Sequence, residues 1–105
     1  MKRIVLLLSL SFSLIACKKY IPVNGNVYDA ITLEPLDSVW YYSVNGTPYD
    51  GQELLTSESG HFSGLSKKNE SYLEMKFSRA GYINQSITFE GENIGDGRLV
   101  YLVPQ

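Results

Sequence analysis

The sequence predicts an all-β sandwich or barrel, and three features carry this prediction. The chain has eight tyrosines, four phenylalanines and one tryptophan, which are residue types that favour strands. No stretch after residue 20 shows helical spacing of apolar residues, whereas residues 71–78 and 82–90 alternate apolar and polar side chains as strands do. Pairs that tolerate positive φ recur at short intervals, namely Asn45-Gly46, Asp50-Gly51, Ser59-Gly60, Ala80-Gly81 and Asp96-Gly97.

Seven segments separated by these turns and by other loop residues are the predicted strands: residues 21–28, 38–44, 53–56, 61–65, 71–78, 82–90 and 98–103. Gly25 lies inside the first of them, and a glycine within a strand indicates a bulge or a close approach of another backbone. The two alternating segments each place their apolar residues on one face, which we expect in the core: Leu73, Met75, Phe77, Ile83, Ile87 and Phe89.

The segment SVWYYSV at residues 38–44 is apolar on both faces. Val39 and Tyr41 lie on one face, and Trp40, Tyr42 and Val44 lie on the other. Either this strand is covered on both sides, or its outer face is an exposed apolar surface.

Residues 1–20, MKRIVLLLSLSFSLIACKKY, predict a signal peptide rather than a membrane span or a core helix. The uncharged run from Ile4 to Ala16 has thirteen residues, whereas a helix needs about 20 to cross hydrocarbon ~30 Å thick. Lys2 and Arg3 supply the positive region that precedes the apolar run of a signal peptide. A core helix would need a polar face, which residues 4–16 lack.

Leu14-Ile15-Ala16-Cys17 resembles a bacterial lipobox, in which the cysteine thiol receives diacylglycerol before the chain is cleaved in front of it. Acylation also accounts for a lone cysteine in an exported chain, for which the alternative is a free thiol. Two or three acyl chains hold a protein on a membrane stably. We therefore predict a removed signal peptide at residues 1–16, a tether at residues 17–21 that is lipidated on Cys17, and one domain at residues 22–105.

Removal of the signal peptide leaves 89 residues, enough for one small domain, and changes the net formal charge from −2 to −4. This mild acidity argues against a nucleic-acid partner, which requires a clustered basic face.

Four short motifs follow one another along residues 22–104: VNGNVYDAITLEPLDSV, TSESGHF, FSRAGY and LVYLVP. In this order they resemble the carboxypeptidase regulatory-like domain family. The matching residues lie in a first strand that contains a glycine, the turn after it, a hairpin, a Gly-Tyr pair and a closing strand. They are Val23, Gly25, Val27, Asp29, Thr32, Pro35, Leu36, Val39, Thr56, Gly60, Phe62, Gly81, Tyr82, Val100, Leu102 and Pro104. Ser57 stands where the family usually has an aspartate.

The resemblance implies a seven-stranded Greek-key β-sandwich of the prealbumin-like, or transthyretin-like, type. Gly60 then takes the positive-φ corner of a hairpin. Tyr82 is expected to bury its ring and to find a backbone partner for its hydroxyl. Ser57 makes the local hydrogen bond of the hairpin more weakly than an aspartate would.

Few residues are of a type that carries chemistry. The single histidine, His61, lies in the predicted hairpin beside Glu58 and Ser59, and we interpret it as an exposed hairpin residue rather than a catalytic base. A related transthyretin-like hydrolase that opens hydroxyisourate uses several histidines and a C-terminal Tyr-Arg-Gly-Ser, whereas this chain ends in YLVPQ. The acidic residues lack calcium-loop spacing, and GENIGDG at residues 91–97 is interpreted as a glycine-rich connection rather than a weak cation site. We therefore predict no enzymatic activity, no metal and no cofactor.

Two binding functions stay open. In larger proteins the resembling domain is an appendage to a catalytic domain or a receptor, so a lone anchored copy would act as a scaffold that docks onto an envelope protein by edge-strand pairing. Alternatively, Trp40, Tyr42 and Tyr49 would be exposed and stack on the sugar rings of a glycan. We favour a core location for these three aromatics. A buried Trp40 with an accessible edge strand would indicate the scaffold, and an exposed Trp40 with a coplanar tyrosine and a nearby acid or amide would indicate glycan binding.

Two further predictions concern modification and location. Asp37-Ser38-Val39 resembles an O-glycosylation motif of some Gram-negative bacteria, which makes Ser38 a candidate acceptor. Cys17 is followed neither by the aspartate that retains some lipoproteins at the inner membrane nor by an acidic cluster typical of surface export. We therefore expect the outer membrane, with the domain facing the periplasm.

Overall fold

The computed structural model describes residues 21–67, 70–91 and 94–105. The predicted signal peptide, Cys17 and the tether up to residue 20 lie outside the described residues. Over the described ranges the chain is all-β, contains no α-helix, and forms two four-stranded sheets, an arrangement compatible with a β-sandwich.

Eight strands are described: β1 (Pro22–Asp29), β2 (Trp40–Ser43), β3 (Gly46–Thr47), β4 (Leu54–Leu55), β5 (His61–Ser66), β6 (Tyr72–Ser78), β7 (Gln85–Glu90) and β8 (Arg98–Leu102). Each of the seven predicted segments overlaps one of them. The additional strand, β3, begins at Gly46, where the sequence predicted a turn. The chain does bend at residues 44 and 45, but Gly46 already pairs with Ser66 of β5 and does not have a positive φ. The Asn45 side chain holds the bend against β6: its Nδ2 donates to Tyr72 O (3.0 Å), and its Oδ1 accepts from Glu74 N (2.8 Å).

The strand order is β3-β5-β1-β8 in the first sheet and β4-β2-β6-β7 in the second. We call these sheet A and sheet B. In sheet A, β1 lies between β5, to which it is antiparallel, and β8, to which it is parallel. Sheet B is antiparallel throughout.

The core lies between the inner faces of the two sheets and contains an aromatic cluster. Phe62 packs edge-on against Phe77, with ring centroids 5.0 Å apart, and also contacts Tyr41 and Phe89 at 6.0 Å. The buried apolar residues, drawn from both sheets and the connection after β1, are Val23, Val27, Leu36, Val39, Tyr41, Phe62, Leu73, Met75, Phe77, Phe89, Val100 and Leu102.

The predicted inner face of β6 is confirmed, because Leu73, Met75 and Phe77 are fully buried. The prediction for residues 82–90 holds only in part: Phe89 is buried and Ile87 packs against the core, but the core location expected for Ile83 is wrong. Strand β7 begins only at Gln85, and Ile83 lies exposed before it, with its N–H donating to Val103 O (2.9 Å).

Two glycine predictions are confirmed. A Cβ on Gly25 would collide with the backbone carbonyl of Arg98, so only glycine lets β8 approach β1 this closely. Gly60 has a φ of 80° immediately before β5, as expected for the corner of the hairpin.

Candidate functional site

Trp40 and Tyr42 share the outer face of β2, which resolves the ambiguity of residues 38–44. Val39 and Tyr41 are buried, whereas Trp40 is 45% exposed, Tyr42 is half-buried and Tyr49 is 51% exposed. The core location that we favoured for these aromatics is therefore wrong for Trp40 and Tyr49. The alternation of β2 gives the reason, since only one of its two apolar faces meets the core.

The register of sheet B places polar side chains beside these two rings. Lys76 of β6 is opposite Tyr42, and Ser86 of β7 is opposite Lys76. Trp40 is opposite Leu55 of β4 on one side and Ser78 of β6 on the other. We call this outer surface of sheet B the Trp40 face.

An open groove of about 390 Å³ crosses the Trp40 face beside Tyr42. Its lining includes an acid, a base and an amide, namely Glu53, Lys76 and Asn84. Such side chains offer the donors and acceptors that sugar hydroxyls require, and an exposed aromatic ring offers the apolar surface on which a sugar ring stacks. The acid and the amide thus lie beside Tyr42, whereas Trp40, near which they were expected, is not part of the lining of this groove.

The structure does not group Tyr49 with the other two aromatics in one row. Tyr49 pairs with Ser43, which is three residues from Trp40 on β2 and therefore about 10 Å along the strand. Among the described residues, no ring contact joins Trp40 to a tyrosine. The coplanar tyrosine expected for a glycan site is therefore not observed in the described part of the chain.

A second candidate surface is the side of the sandwich where β7 and β8 end the two sheets. Both are terminal in their sheets, with a described strand partner on one side only. The Leu102 carbonyl accepts from Ala30 N (2.9 Å) and so points toward β1. Because backbone groups alternate in direction along a strand, those of Leu99 and Tyr101 point away from β1, outward from the edge of sheet A.

A groove of about 370 Å³ separates these two terminal strands. Ile87, Thr88 and Phe89 of β7 line it together with Gly97, Arg98 and Leu99, so polar and apolar groups contribute alike. We call the two strands and this groove the open edge. An extended peptide that paired with β8 would find outward backbone groups for hydrogen bonding, as well as apolar side chains on either side.

The network around Asp29 holds together three parts of the chain at the end of β1. Asp29 is buried, and its Oδ1 accepts from the backbone N–H of Ile31 (2.7 Å) and Thr32 (2.9 Å). The Tyr82 hydroxyl donates to Asp29 Oδ2 (2.7 Å). The expectation of a backbone partner for this hydroxyl is wrong, because the carboxylate lies within its reach and is the stronger acceptor.

These bonds shift the pKa values of both side chains. The N–H of Thr32, followed by the Tyr82 hydroxyl and the N–H of Ile31, stabilises the carboxylate and lowers the pKa of Asp29 below its ordinary value. The same carboxylate, by accepting the hydrogen bond, raises the pKa of the Tyr82 phenol. Both shifts favour the ionised acid and the neutral phenol, so the pair is a structural clamp near neutral pH.

Arg79 extends the clamp to the connection before β2. Its Nε donates to Asp37 O (2.8 Å), and its guanidinium lies 3.3 Å from the Asp37 carboxylate and 5.4 Å from the centroid of the Tyr82 ring. Asp29 and Tyr82 are 53 residues apart in sequence, and Asp37 and Arg79 are 42 residues apart. No local sequence pattern could have predicted these two contacts.

The remaining candidate residues are placed as follows. His61 is exposed at the start of β5, and the hydroxyl of Ser59 lies 3.0 Å from that of Ser57. Ser38 is exposed with a φ of 56°, and its glycosylation stays a prediction, as does the lipidation of Cys17. The described ranges contain no group of three histidine, cysteine or acidic residues able to hold a metal ion. Nor do these ranges include a helix with the length and hydropathy to cross a bilayer.

Compared with models of known protein families and with curated protein sequences, the chain matches none.

Proposed function

We propose that the protein is a lipid-anchored, non-catalytic binding module of the cell envelope that docks a protein partner by strand addition at the open edge. The observation that carries this proposal is the backbone of β8. The N–H and C=O groups of Leu99 and Tyr101 point outward from a strand that has a described partner only on the side of β1. Strand addition gives such groups their hydrogen-bond partners.

The anchor belongs to the same proposal. A basic start, an apolar run of thirteen residues and the lipobox-like Leu14-Ile15-Ala16-Cys17 support cleavage before Cys17 and acylation of its sulfur. The tether then leads directly into β1 at Pro22, so only about five residues separate the lipid from the sandwich. We propose the outer membrane as the location, with the domain facing the periplasm.

We also propose that the sandwich is the Greek-key, prealbumin-like form found in carboxypeptidase regulatory-like domains. The support is that residues carrying the resemblance meet in space although they are far apart in sequence. Asp29 of the opening motif accepts a hydrogen bond from Tyr82 of the Gly-Tyr pair. Tyr82 also pairs with Pro104 of the closing motif.

Site-specific crosslinking in cells tests strand addition. A photoreactive phenylalanine analogue replaces Leu99 at the open edge in the full chain, and Leu65, which is also exposed on sheet A but lies on the interior strand β5, serves as the control position. Irradiation is expected to give a protein adduct from position 99 and none from position 65. Equal adducts from the two positions would contradict the proposal.

A matched pair of variants separates the backbone from the side chain. Tyr101→Pro removes an outward N–H and leaves the bonds of Leu102 to β1 in place, whereas Tyr101→Ala removes the ring and keeps the N–H. The adduct at position 99 is expected to fall in Tyr101→Pro and to persist in Tyr101→Ala. Equal yields in the two variants would show that backbone pairing at β8 is not used.

Glycan binding at the Trp40 face is the second candidate, and the exposure of Trp40 favours it. Tyr42, Glu53 and Lys76 supply a ring, an acceptor and a donor in the lining of the groove on this face. The chain has a single tryptophan, so its fluorescence reports on this face alone.

Titration of soluble glucans and mucin-type oligosaccharides while tryptophan fluorescence is recorded tests this candidate. Saturable quenching with an affinity about fivefold weaker in Tyr42→Ala, but unchanged in Tyr49→Ala, is the expected result, since one stacked ring contributes on the order of 1 kcal/mol. A flat response across the panel would rule out glycan binding by Trp40.

A further inference from the structure

The loop after β1 carries the two most exposed large apolar side chains of the described residues. Ile31 is 74% exposed and Leu33 is 63% exposed. Isolated apolar residues on a surface are ordinary, but two within three positions on one loop are a local apolar feature.

Backbone hydrogen bonds bring two more exposed aliphatic residues to the same end of the domain. Ala30 N donates to Leu102 O (2.9 Å), and Ile83 N donates to Val103 O (2.9 Å). The segments of Ile83 and Val103, which are both exposed, therefore lie beside the loop. We call these four side chains, Ile31, Leu33, Ile83 and Val103, the apolar tip.

The loop is held in one conformation by a dense set of bonds. Asp29 accepts from Ile31 N and Thr32 N through Oδ1 and from Leu33 N through its carbonyl (2.9 Å), while Asp29 N donates to Glu34 O (2.9 Å). The Tyr82 hydroxyl fixes the other carboxylate oxygen of Asp29. A loop that is ordered before binding loses little conformational freedom when it binds.

Leu33 adopts a φ of 62°, in the left-handed region that leucine rarely occupies. Nothing buried requires a leucine here, because its side chain points into solvent. An asparagine would adopt this backbone conformation more readily and would present a polar side chain to solvent. Folding therefore does not explain an apolar side chain at this strained and exposed position, and a role in binding does.

The position of the tip decides what it contacts. The N-terminal segment that contains Cys17 enters β1 at Pro22, whereas the tip follows Asp29, seven residues further along the strand and about 23 Å away. The exposed carboxylate of Glu34 flanks the tip and disfavours an anionic lipid surface, whereas the carboxylate of Asp37 is paired with Arg79. A protein with an apolar pocket and a basic rim fits both facts.

We propose that the apolar tip is a second docking surface, which inserts Ile31 and Leu33 into an apolar pocket of a protein partner, with Glu34 facing basic residues at the rim of that pocket. It is separate from the open edge and does not depend on strand addition. A preorganised loop with two aliphatic anchors at its centre is the arrangement expected of a binding hot spot.

The test places the photoreactive residue at position 31 of the full chain in cells, with exposed Val44 on the Trp40 face as the control position. The expected product is an adduct with a protein from position 31 that is absent from position 44. An adduct with a phospholipid, an adduct between two copies of this chain, or no adduct would each overturn the proposal. Intact-mass spectrometry separates these products.

Substitutions at Leu33 show whether the contact is apolar. Leu33→Asn keeps the left-handed backbone and removes the aliphatic surface, whereas Leu33→Met keeps an apolar side chain. The adduct is expected to fall about tenfold or more in Leu33→Asn and to persist in Leu33→Met, since burial of one such side chain corresponds to at least about tenfold in affinity. Equal adducts in the two variants would overturn the proposal.

The same experiment in a Tyr101→Pro background distinguishes the two surfaces. The adduct at position 31 is expected to be unchanged there, because the tip does not use the backbone of β8. Its loss would show that the tip is not an independent docking surface.

Discussion

Truncation of Phe62 to alanine tests the packing of the sandwich. Phe62 is fully buried on β5 and contacts the rings of Tyr41, Phe77 and Phe89, so its removal leaves a cavity between the two sheets. Replacement of a buried phenylalanine by alanine costs about 3–5 kcal/mol. The whole free energy of unfolding of a domain of this size is about 4–12 kcal/mol. Phe62→Ala is therefore expected to remove a large part of the stability.

Urea unfolding followed by far-ultraviolet circular dichroism measures the effect. With a slope of about 1 kcal/mol per molar urea, the midpoint should fall by about 3–5 M. Leu65→Ala on the same strand is the matched control, because Leu65 lies on the outer face, and its cost should stay within about 0.5 kcal/mol. Equal shifts for the two variants would refute the assignment of β5 faces and the core built on it.

Three further predictions concern β1, the clamp and the anchor. Gly25→Ala should destabilise the domain by more than about 2 kcal/mol in the same urea assay, because its Cβ would meet the Arg98 carbonyl and force β8 away from β1. The pKa of Asp29 in the folded protein lies below its ordinary value of 3.8. The ionised carboxylate therefore stabilises the fold at pH values above 3.8, and this stabilisation is lost as the pH falls from 3.8 through the folded-state pKa. Wild type should therefore lose stability more steeply in acid than Asp29→Asn, which has no carboxyl to protonate; the pH dependence of the urea midpoint measures this. Cys17→Ser should abolish acylation, seen by intact mass as loss of the lipid and retention of residues 1–16.

Each of these predictions has an opposing outcome. A Gly25→Ala variant as stable as wild type would mean that β1 and β8 do not approach as closely as described. Parallel pH profiles for wild type and Asp29→Asn would mean that Asp29 is not stabilised by its hydrogen-bond donors. An unmodified, uncleaved wild-type chain would contradict the signal peptide and the lipid anchor together.

Alternation identified the strands and the inner face of β6 from sequence, because a polar residue at every second position leaves only one face for the core. It failed at residues 38–44, where both faces are apolar, and only the packing of sheet B shows that Trp40 faces outward. Ile83 was misplaced for a related reason. Ile83 fits the apolar–polar alternation of residues 82–90 and was therefore assigned to that strand, but β7 begins two residues later, at Gln85.

The candidate surfaces were less accessible to sequence than the strands. The open edge depends on which strands end the sheets, and strand order is a long-range property. The groove on the Trp40 face brings Glu53, Lys76 and Asn84 together from three parts of the chain. The Asp29–Tyr82 bond joins two residues that the family-like motifs had both singled out, but their contact could be seen only once the loop after β1 was placed beside residue 82.

Amide hydrogen exchange of the purified protein, followed residue by residue by nuclear magnetic resonance, tests the open edge most directly. The N–H groups of Val100 and Leu102 point toward β1 and should be protected, whereas those of Leu99 and Tyr101 point outward and should exchange at least about 100-fold faster. Slow exchange at Leu99 and Tyr101 in the isolated protein would show that the outer side of β8 is already paired. In that case the protein would have no free strand edge at β8 to offer a partner.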